Sequence, residues 1–164
     1  MELLAVADRL GSAQAGVVAR RQLLESGITK WALRRAIDSG RLELILPGVM
    51  RLPGSPRSEE QRLWAAYLRV GPESVISHGS SARLGGLKSI EQCRPTLVVP
   101  HRLSPRVGSE LIVHRSRCLD DIDVDAVAGL PVTSPARTMV DLSGETGRAR
   151  LTAALEEAHY DRMV

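Results

Sequence analysis

The sequence predicts an α+β protein: an N-terminal winged helix-turn-helix followed by a smaller mixed α/β domain. Residues 17–52 divide into two short helices, a Gly-containing turn between them, and two strands around a second turn. Residues 53–57 begin with Pro-Gly-Ser-Pro, which breaks helices and forms turns. After it, helices and strands mix without strict alternation. We therefore predict a DNA-binding domain over residues 1–52, a linker over 53–57 and a second domain over 58–164.

The predicted DNA-binding domain, residues 1–52, is called the head here. It begins with a helix over residues 2–10, in which Leu and Ala recur at helical spacing. Val17 and Val18 are predicted to form a short strand that pairs with the wing. A second helix follows over residues 19–25, and Ser26-Gly27-Ile28 supplies the short turn that the motif requires.

The third helix is predicted over residues 30–39, because Thr29 is a good N-cap and Gly40 follows the C-terminus. At about 100° per residue, one side of this helix is apolar and the other is polar and cationic. The apolar side carries Ala32, Leu33, Ala36 and Ile37, and the other carries Lys30, Trp31, Arg34, Arg35 and Asp38. This pattern predicts a recognition helix.

The wing is predicted as two strands, residues 41–46 and 49–52, around Pro47-Gly48. Pro-Gly favours a type II turn, whose twist suits a two-residue hairpin poorly. We therefore expect a longer loop or splayed strands at the tip.

The charge distribution favours a nucleic-acid partner for the head. The chain has 22 basic residues and a net charge of +3, with a pI near 9.3. Residues 17–52 hold seven Lys or Arg against three Asp or Glu, whereas residues 53–164 hold fourteen of each. Aromatic residues make up only 2% of the chain, which disfavours a single-strand binder that stacks bases on aromatic rings. Double-stranded DNA is the predicted partner.

Eight residues of the head are candidates for DNA contact. On the recognition helix, we assign Arg34 to base edges, and Arg35, toward the flank with Trp31, to the DNA backbone. The remaining basic side chains either contact phosphates or keep the protein in solution, and a basic helix face can also be merely solvated. The candidates are Lys30, Trp31, Arg34, Arg35, Arg20, Arg21, Arg41 and Arg51.

The second domain is predicted to begin with a helix capped by Ser58 and ending near Gly71. A short apolar segment at 74–77 and a brief helix at 80–84 follow. Strands are predicted at 96–100, 111–114 and 127–133. Ser134-Pro135 opens a helix through residue 142, and a last helix spans 148–161. Arg137 and Asp141, at i and i+4, are expected to form an ion pair.

Enzyme and metal chemistry find little support in the residue spacing. His78 near Ser80 and Ser81 suggests a nucleophile and base, but a G-x-S-x-G motif is absent. The alternating acidic residues at 121, 123 and 125 lack the Gly and terminal Glu of a calcium loop. The four histidines, at 78, 101, 114 and 159, show no paired ligand spacing. We predict no catalytic residue, no metal site and no cofactor.

Cys93 and Cys118 lie outside any C-x-x-C motif, which indicates reduced thiols rather than a disulfide framework. Asp8 and Arg9 interrupt the short apolar N-terminal run, so a secretion signal is not predicted. No apolar stretch reaches membrane-spanning length. We therefore expect a cytoplasmic protein without a membrane partner.

The chain as a whole resembles actinobacterial members of the AbiEi-type antitoxin family. The resemblance rests on the head, on the segments S-H-G-S-S-A at 77–82 and P-T-L-V-V-P at 95–100, and on G-L-P-V-T-S-P-A-R-T-M-V-D-L at 129–142. It implies a winged helix that represses its own promoter by binding an upstream operator. It also implies a second domain that counteracts a nucleotidyltransferase toxin in a type IV toxin-antitoxin, or abortive infection, system.

Relatives often continue into a small endonuclease-like domain, whereas this chain ends at Met163-Val164. Two interpretations of this end stay open, a fragment and a shortened paralogue. Two alternative functions stay open as well: the DNA-targeting front of a longer endonuclease-like protein, and a protein-interaction module that has lost DNA binding.

Overall fold

The computed structural model describes residues 2–91 and 94–160 and confirms the predicted α+β class. The chain divides into two compact units, Met1–Gly71 and Pro72–Val164. The second unit is therefore the longer of the two, and the expectation of a smaller second domain is corrected.

Three helices of the first unit enclose an apolar core: α1 (Glu2–Ser12), α2 (Arg20–Glu25) and α3 (Lys30–Asp38). Each helix turns its small and aliphatic side chains inward at helical spacing, as the sequence predicted. The core contains Ala7, Val18, Leu23, Ile28, Leu33, Ala36, Leu42 and Met50.

The wing belongs to a three-stranded antiparallel sheet of order β1-β3-β2, formed by β1 (Val17–Ala19), β2 (Glu43–Leu46) and β3 (Val49–Arg51). The predicted pairing of Val17 and Val18 with the wing is confirmed. Leu46 pairs with Val49, so Pro47 and Gly48 form a two-residue connection rather than the longer loop that we expected. A register shift between Leu44 and Leu46 accompanies this turn, and such a bulge changes the local strand twist.

Helix α4 (Glu59–Val70) belongs to the first unit, so the domain boundary predicted at residues 53–57 moves to Gly71. Ser58 caps the helix by accepting a hydrogen bond from the Gln61 amide, as predicted. The buried Gln61 side chain then donates to the Ala15 carbonyl at 2.9 Å. The helix also packs against β1 and β3. These long-range contacts, and not the Pro-Gly segment, determine the boundary.

The second unit is built on a five-stranded mixed sheet of order β6-β5-β4-β8-β7. Its strands are β4 (Val75–Ile76), β5 (Thr96–Pro100), β6 (Ile112–Ser116), β7 (Val124–Val127) and β8 (Leu130–Thr133). The single strand predicted over 127–133 is corrected to the second strand of a hairpin. Ala128 and Gly129 form its turn, and both have positive φ.

Three helices complete this unit: α5 (His78–Leu84), α6 (Pro135–Ser143) and α7 (Arg148–Tyr160). The last residue predicted for α7, Asp161, lies outside the described residues. Packing between the helices buries Ala82, Leu87, Ile90, Met139, Leu142, Ala154 and Ala158. Within the described ranges, no helix combines the length and the apolar character needed to cross a bilayer.

Candidate nucleic-acid interface and a histidine cluster

Helix α3 has the two-faced character that its sequence predicted. Leu33 and Ala36 are buried in the core of the first unit, and Ala32 and Ile37 pack against the same core. Thr29 caps the helix, its side-chain oxygen accepting a hydrogen bond from the Ala32 amide at 3.1 Å. The inner face and the N-terminus are therefore both fixed, which determines the direction of the outer face.

The outer face of α3 places aromatic and basic side chains side by side. Trp31 is 67% exposed, and the Arg35 guanidinium lies 4.6 Å from the centre of the Trp31 ring. Arg34 is also exposed, and its Nε lies 3.0 Å from an Asp38 carboxylate oxygen. Lys30 is exposed at the start of the helix. All four predicted contact residues of this helix therefore lie on its exposed face.

Two flanking arginines extend this cationic face. The Arg20 backbone amide donates to the Gly48 carbonyl, which places the exposed Arg20 beside the tip of the wing. Arg41 is exposed and donates from Nε to the Ser39 hydroxyl at 3.0 Å. Trp31, Arg35 and Arg41 line one shallow cavity of about 370 Å³ together with the turn before α3.

Arg21 and Arg51 both form contacts within the first unit, but only Arg51 is buried. Arg21 donates from Nη1 to the Leu68 carbonyl at 2.8 Å and so ties α2 to the last turn of α4. Arg51 is buried on the central strand of the sheet and pairs with Glu43, its cross-strand neighbour. The burial of Arg51 removes it from the candidate interface, whereas Arg21 is exposed and stays a predicted contact residue.

Sequence reasoning missed Arg57, which it placed in the linker. This exposed guanidinium lies 3.8 Å from the carboxylate of Glu43 on the wing. A basic residue close to the wing strands in sequence was the only signal, and it is a weak one.

The second unit brings together three side chains that the sequence spacing had not connected. The His78 and His114 rings stack with their centres 4.2 Å apart and their planes inclined by 23°. An Oε1 of Glu145 lies 3.0 Å from Nε2 of His114 and 3.9 Å from Nε2 of His78. One ligand-type atom from each residue lies within 4.8 Å of the other two.

Three different elements position this cluster. His78 is the first residue of α5, and Ser77 alone separates it from the end of β4. Its backbone φ of +52° is uncommon for a residue other than glycine. His114 lies on the edge strand β6, opposite Val98 of β5, and Glu145 follows the end of α6. Burial of His78 lowers the pKa of its imidazole, and repulsion by a charge on His114 is the second cause of this lowering.

Ser80 and Ser81, the serines that the sequence offered as nucleophile candidates beside His78, form hydrogen bonds with strands of the sheet. Ser80 Oγ accepts from the Thr96 amide, and Ser81 Oγ donates to the Thr133 carbonyl. His78 contacts Ser77 instead, with 2.9 Å between Nδ1 and Oγ.

Arg137 and Asp141 form the predicted ion pair at 2.9 Å, and Arg137 also reaches Asp123 at 3.0 Å. The pair therefore joins α6 to the turn before β7. Cys118 is a free and exposed thiol, and Cys93 lies outside the described residues.

Comparison with known proteins adds little to this geometry. No family model matches the chain, and no curated protein matches it. Among solved structures, the chain is similar to the Rv2827c protein of Mycobacterium tuberculosis, with 21% sequence identity and a TM-score of 0.47. The match covers 93% of this chain and 71% of that one. A likeness at this level supports no argument about function.

Proposed function

We propose that this protein binds double-stranded DNA through α3 and the wing, and that it represses its own promoter as the antitoxin of a type IV toxin-antitoxin system. One observation carries the DNA-binding part. The inner face of α3 is locked into an apolar core, while Lys30, Arg34 and Arg35 are exposed on its outer face. A helix of this kind, presented by a winged helix-turn-helix, fits the major groove.

The ion pair between Arg34 and Asp38 does not prevent a role in base recognition. Both side chains are exposed, and an exposed i,i+4 pair contributes only about 0.3–0.5 kcal/mol. A bidentate contact between arginine and guanine discriminates by about 1–3 kcal/mol. Contact with the correct base pair therefore outweighs the loss of the pair with Asp38.

Arg35 is suited to a different role, because the Trp31 ring already orients its guanidinium. An arginine fixed at the flank of the reading helix can grip a phosphate in any sequence. Arg20 beside the wing tip and Arg41 beside Arg35 would add further phosphate contacts. This arrangement assigns specificity to the centre of α3 and affinity to its edges.

The antitoxin part of the proposal rests on the family resemblance, which implies a nucleotidyltransferase toxin, and the cytoplasmic site of action rests on the sequence, in which no secretion signal is predicted. We assign neutralisation of the toxin to the second unit, because that unit has its own sheet and its own apolar core. The side chains proposed to read DNA all belong to the first unit. Substitutions on α3 should therefore separate repression from neutralisation.

The test uses the full chain and its own upstream DNA. The wild type should shift that DNA in a mobility assay, and a variant with Lys30, Arg34 and Arg35 changed to Ala should not. When co-expressed with the neighbouring toxin gene, the same variant should still rescue growth. Rescue lost together with DNA binding, in a variant that is folded by circular dichroism, would contradict the division between the two units.

A protein-interaction module is the alternative that a specific observation favours. Trp31 and Leu44 are both large, apolar and exposed on the first unit, at 67% and 55%. Such side chains are typical of protein interfaces. If the wild type binds no duplex from its own locus at low salt, this alternative replaces the proposed function.

A further inference from the structure

We propose that His78, His114 and Glu145 of the second unit form a binding site for a divalent transition-metal ion such as Zn²⁺. This inference concerns a different unit from the DNA-binding face and does not depend on it. It also revises the sequence-based prediction that the chain has no metal site.

The spacing of the three ligand atoms suits a metal ion. Ligands at about 2.0–2.1 Å from a tetrahedral zinc ion are about 3.3 Å apart from one another. The Glu145 oxygen lies 3.0 Å and 3.9 Å from the two imidazole Nε2 atoms. Because the two imidazole rings stack, side-chain rotations of these rings and of the half-exposed Glu145 would be needed to direct all three ligand atoms at one ion.

The geometry between His114 and Glu145 fits an ion held between the ligands better than it fits a direct hydrogen bond. The Nε2 of His114 lies 3.0 Å from Glu145 Oε1, yet this buried atom has no hydrogen-bond partner of acceptable geometry. A short distance with poor alignment is expected when both atoms point toward a common third point. A metal ion at that point would satisfy the buried nitrogen, which otherwise carries a desolvation cost.

His78 is prepared for metal binding by its surroundings. Its Nδ1 lies 2.9 Å from the Ser77 hydroxyl, and in the tautomer whose Nδ1–H donates to that hydroxyl, the lone pair of Nε2 is available to a metal ion. The positive φ of His78 is a local cost in backbone energy, and such strain is concentrated at functional sites.

The donor set indicates the class of metal. Two imidazoles and one carboxylate suit Zn²⁺, Co²⁺, Ni²⁺ or Fe²⁺, whereas Mg²⁺ and Ca²⁺ prefer oxygen ligands throughout. Three protein ligands leave at least one coordination position for water or another small ligand.

The experiment titrates the full chain with Zn²⁺ and Co²⁺ after chelator treatment. The background is Cys118→Ser, because the exposed thiol of Cys118 could bind metal by itself. We expect one ion per chain by calorimetry. We also expect Co²⁺ to give the intense visible absorption of a site with fewer than six ligands, and Mg²⁺ to show no competition.

Two variants test the ligands, and a third is the matched control. His114→Ala and Glu145→Gln change partly exposed side chains, and each should weaken Zn²⁺ binding by about 100-fold or more. His101→Ala removes an exposed histidine outside the cluster and should leave binding unchanged. Absence of stoichiometric binding in the wild type would overturn the proposal, and so would equal affinity in all three variants.

Discussion

The guanidinium of Arg35 stacks over the ring of Trp31, 4.6 Å from its centre, on the exposed face of α3. Such a contact holds a long and flexible side chain in one region of space, and at exposed sites it contributes about 0.5–1 kcal/mol. It also explains why a large aromatic side chain is 67% exposed on a helix that otherwise buries its apolar residues.

Replacing Trp31 by Ala should lower the affinity for DNA about two- to five-fold, whatever the sequence of the duplex, because Arg35 loses its support. Trp31→Phe retains a ring and should lose less. Fluorescence anisotropy on operator and scrambled duplexes measures both variants. If Trp31→Ala weakens binding just as much when Arg35 is already Ala, Trp31 acts independently of Arg35 and this explanation is wrong.

Replacing Arg34 by Ala should weaken operator binding by about 1–3 kcal/mol and relax the preference at one base pair. Replacing Arg35 by Ala should weaken all duplexes alike and lower the slope of log K against log salt by roughly one. Binding measured at several salt concentrations, with a set of operators mutated at single base pairs, distinguishes the two effects.

Asp38→Asn is the control for Arg34, because it breaks the pair at 3.0 Å but keeps the arginine. It also removes a negative charge from the face that approaches phosphates, so affinity should rise while the base preference remains. If Asp38→Asn relaxes the preference as Arg34→Ala does, the ion pair itself positions the reading side chain.

The second unit should become less stable in acid when the Glu157 carboxylate is protonated. This carboxylate accepts hydrogen bonds from the Lys88 and Ser89 amides at 2.8 and 3.0 Å, and these bonds lower the pKa of Glu157 from its usual value of 4.5. Because the folded-state pKa is the lower one, the stabilisation is present above about pH 4.5 and is lost as the pH falls through the folded-state value.

Glu157→Gln should therefore reduce the free energy of unfolding above pH 4.5 and have a smaller effect in stronger acid. Urea unfolding followed at a series of pH values measures the change, and Glu156→Gln, one residue earlier on α7, is the matched control. An effect of Glu157→Gln that does not vary with pH would show that these backbone contacts do not depend on the charge.

Local signals in the sequence predicted most of the first unit. Three of these signals each act within a few residues of chain, and the structure confirms all three. They are the cap at Thr29, the turn at Ser26-Gly27-Ile28, and the apolar and polar faces of the helix over residues 30–38. The position of α4 depends instead on Gln61 reaching the Ala15 carbonyl, 46 residues away. Turn-forming residues alone could not reveal that contact, which is why the predicted boundary was too early.

Contacts between residues far apart in sequence also limited the prediction of the candidate sites. Sequence reasoning placed Arg51 on the wing correctly, but it could not tell that β3 is the central strand, where an arginine is covered and paired with Glu43. The histidine cluster was missed because His78 begins helix α5, His114 lies on an edge strand and Glu145 lies between α6 and α7, with no short spacing between them. Only the sheet order brings them together.

Two triple variants show whether the exposed basic face of α3 binds DNA. One variant changes Lys30, Arg34 and Arg35 to Ala, and the other changes Lys88, Arg115 and Arg117, which are exposed residues of the second unit with the same total charge. Anisotropy with the upstream duplex at constant salt should show specific binding abolished in the first variant and nearly intact in the second. An equal loss of binding in the two variants would show that binding depends on net charge alone. Full binding by the first variant would exclude α3 as the reading helix.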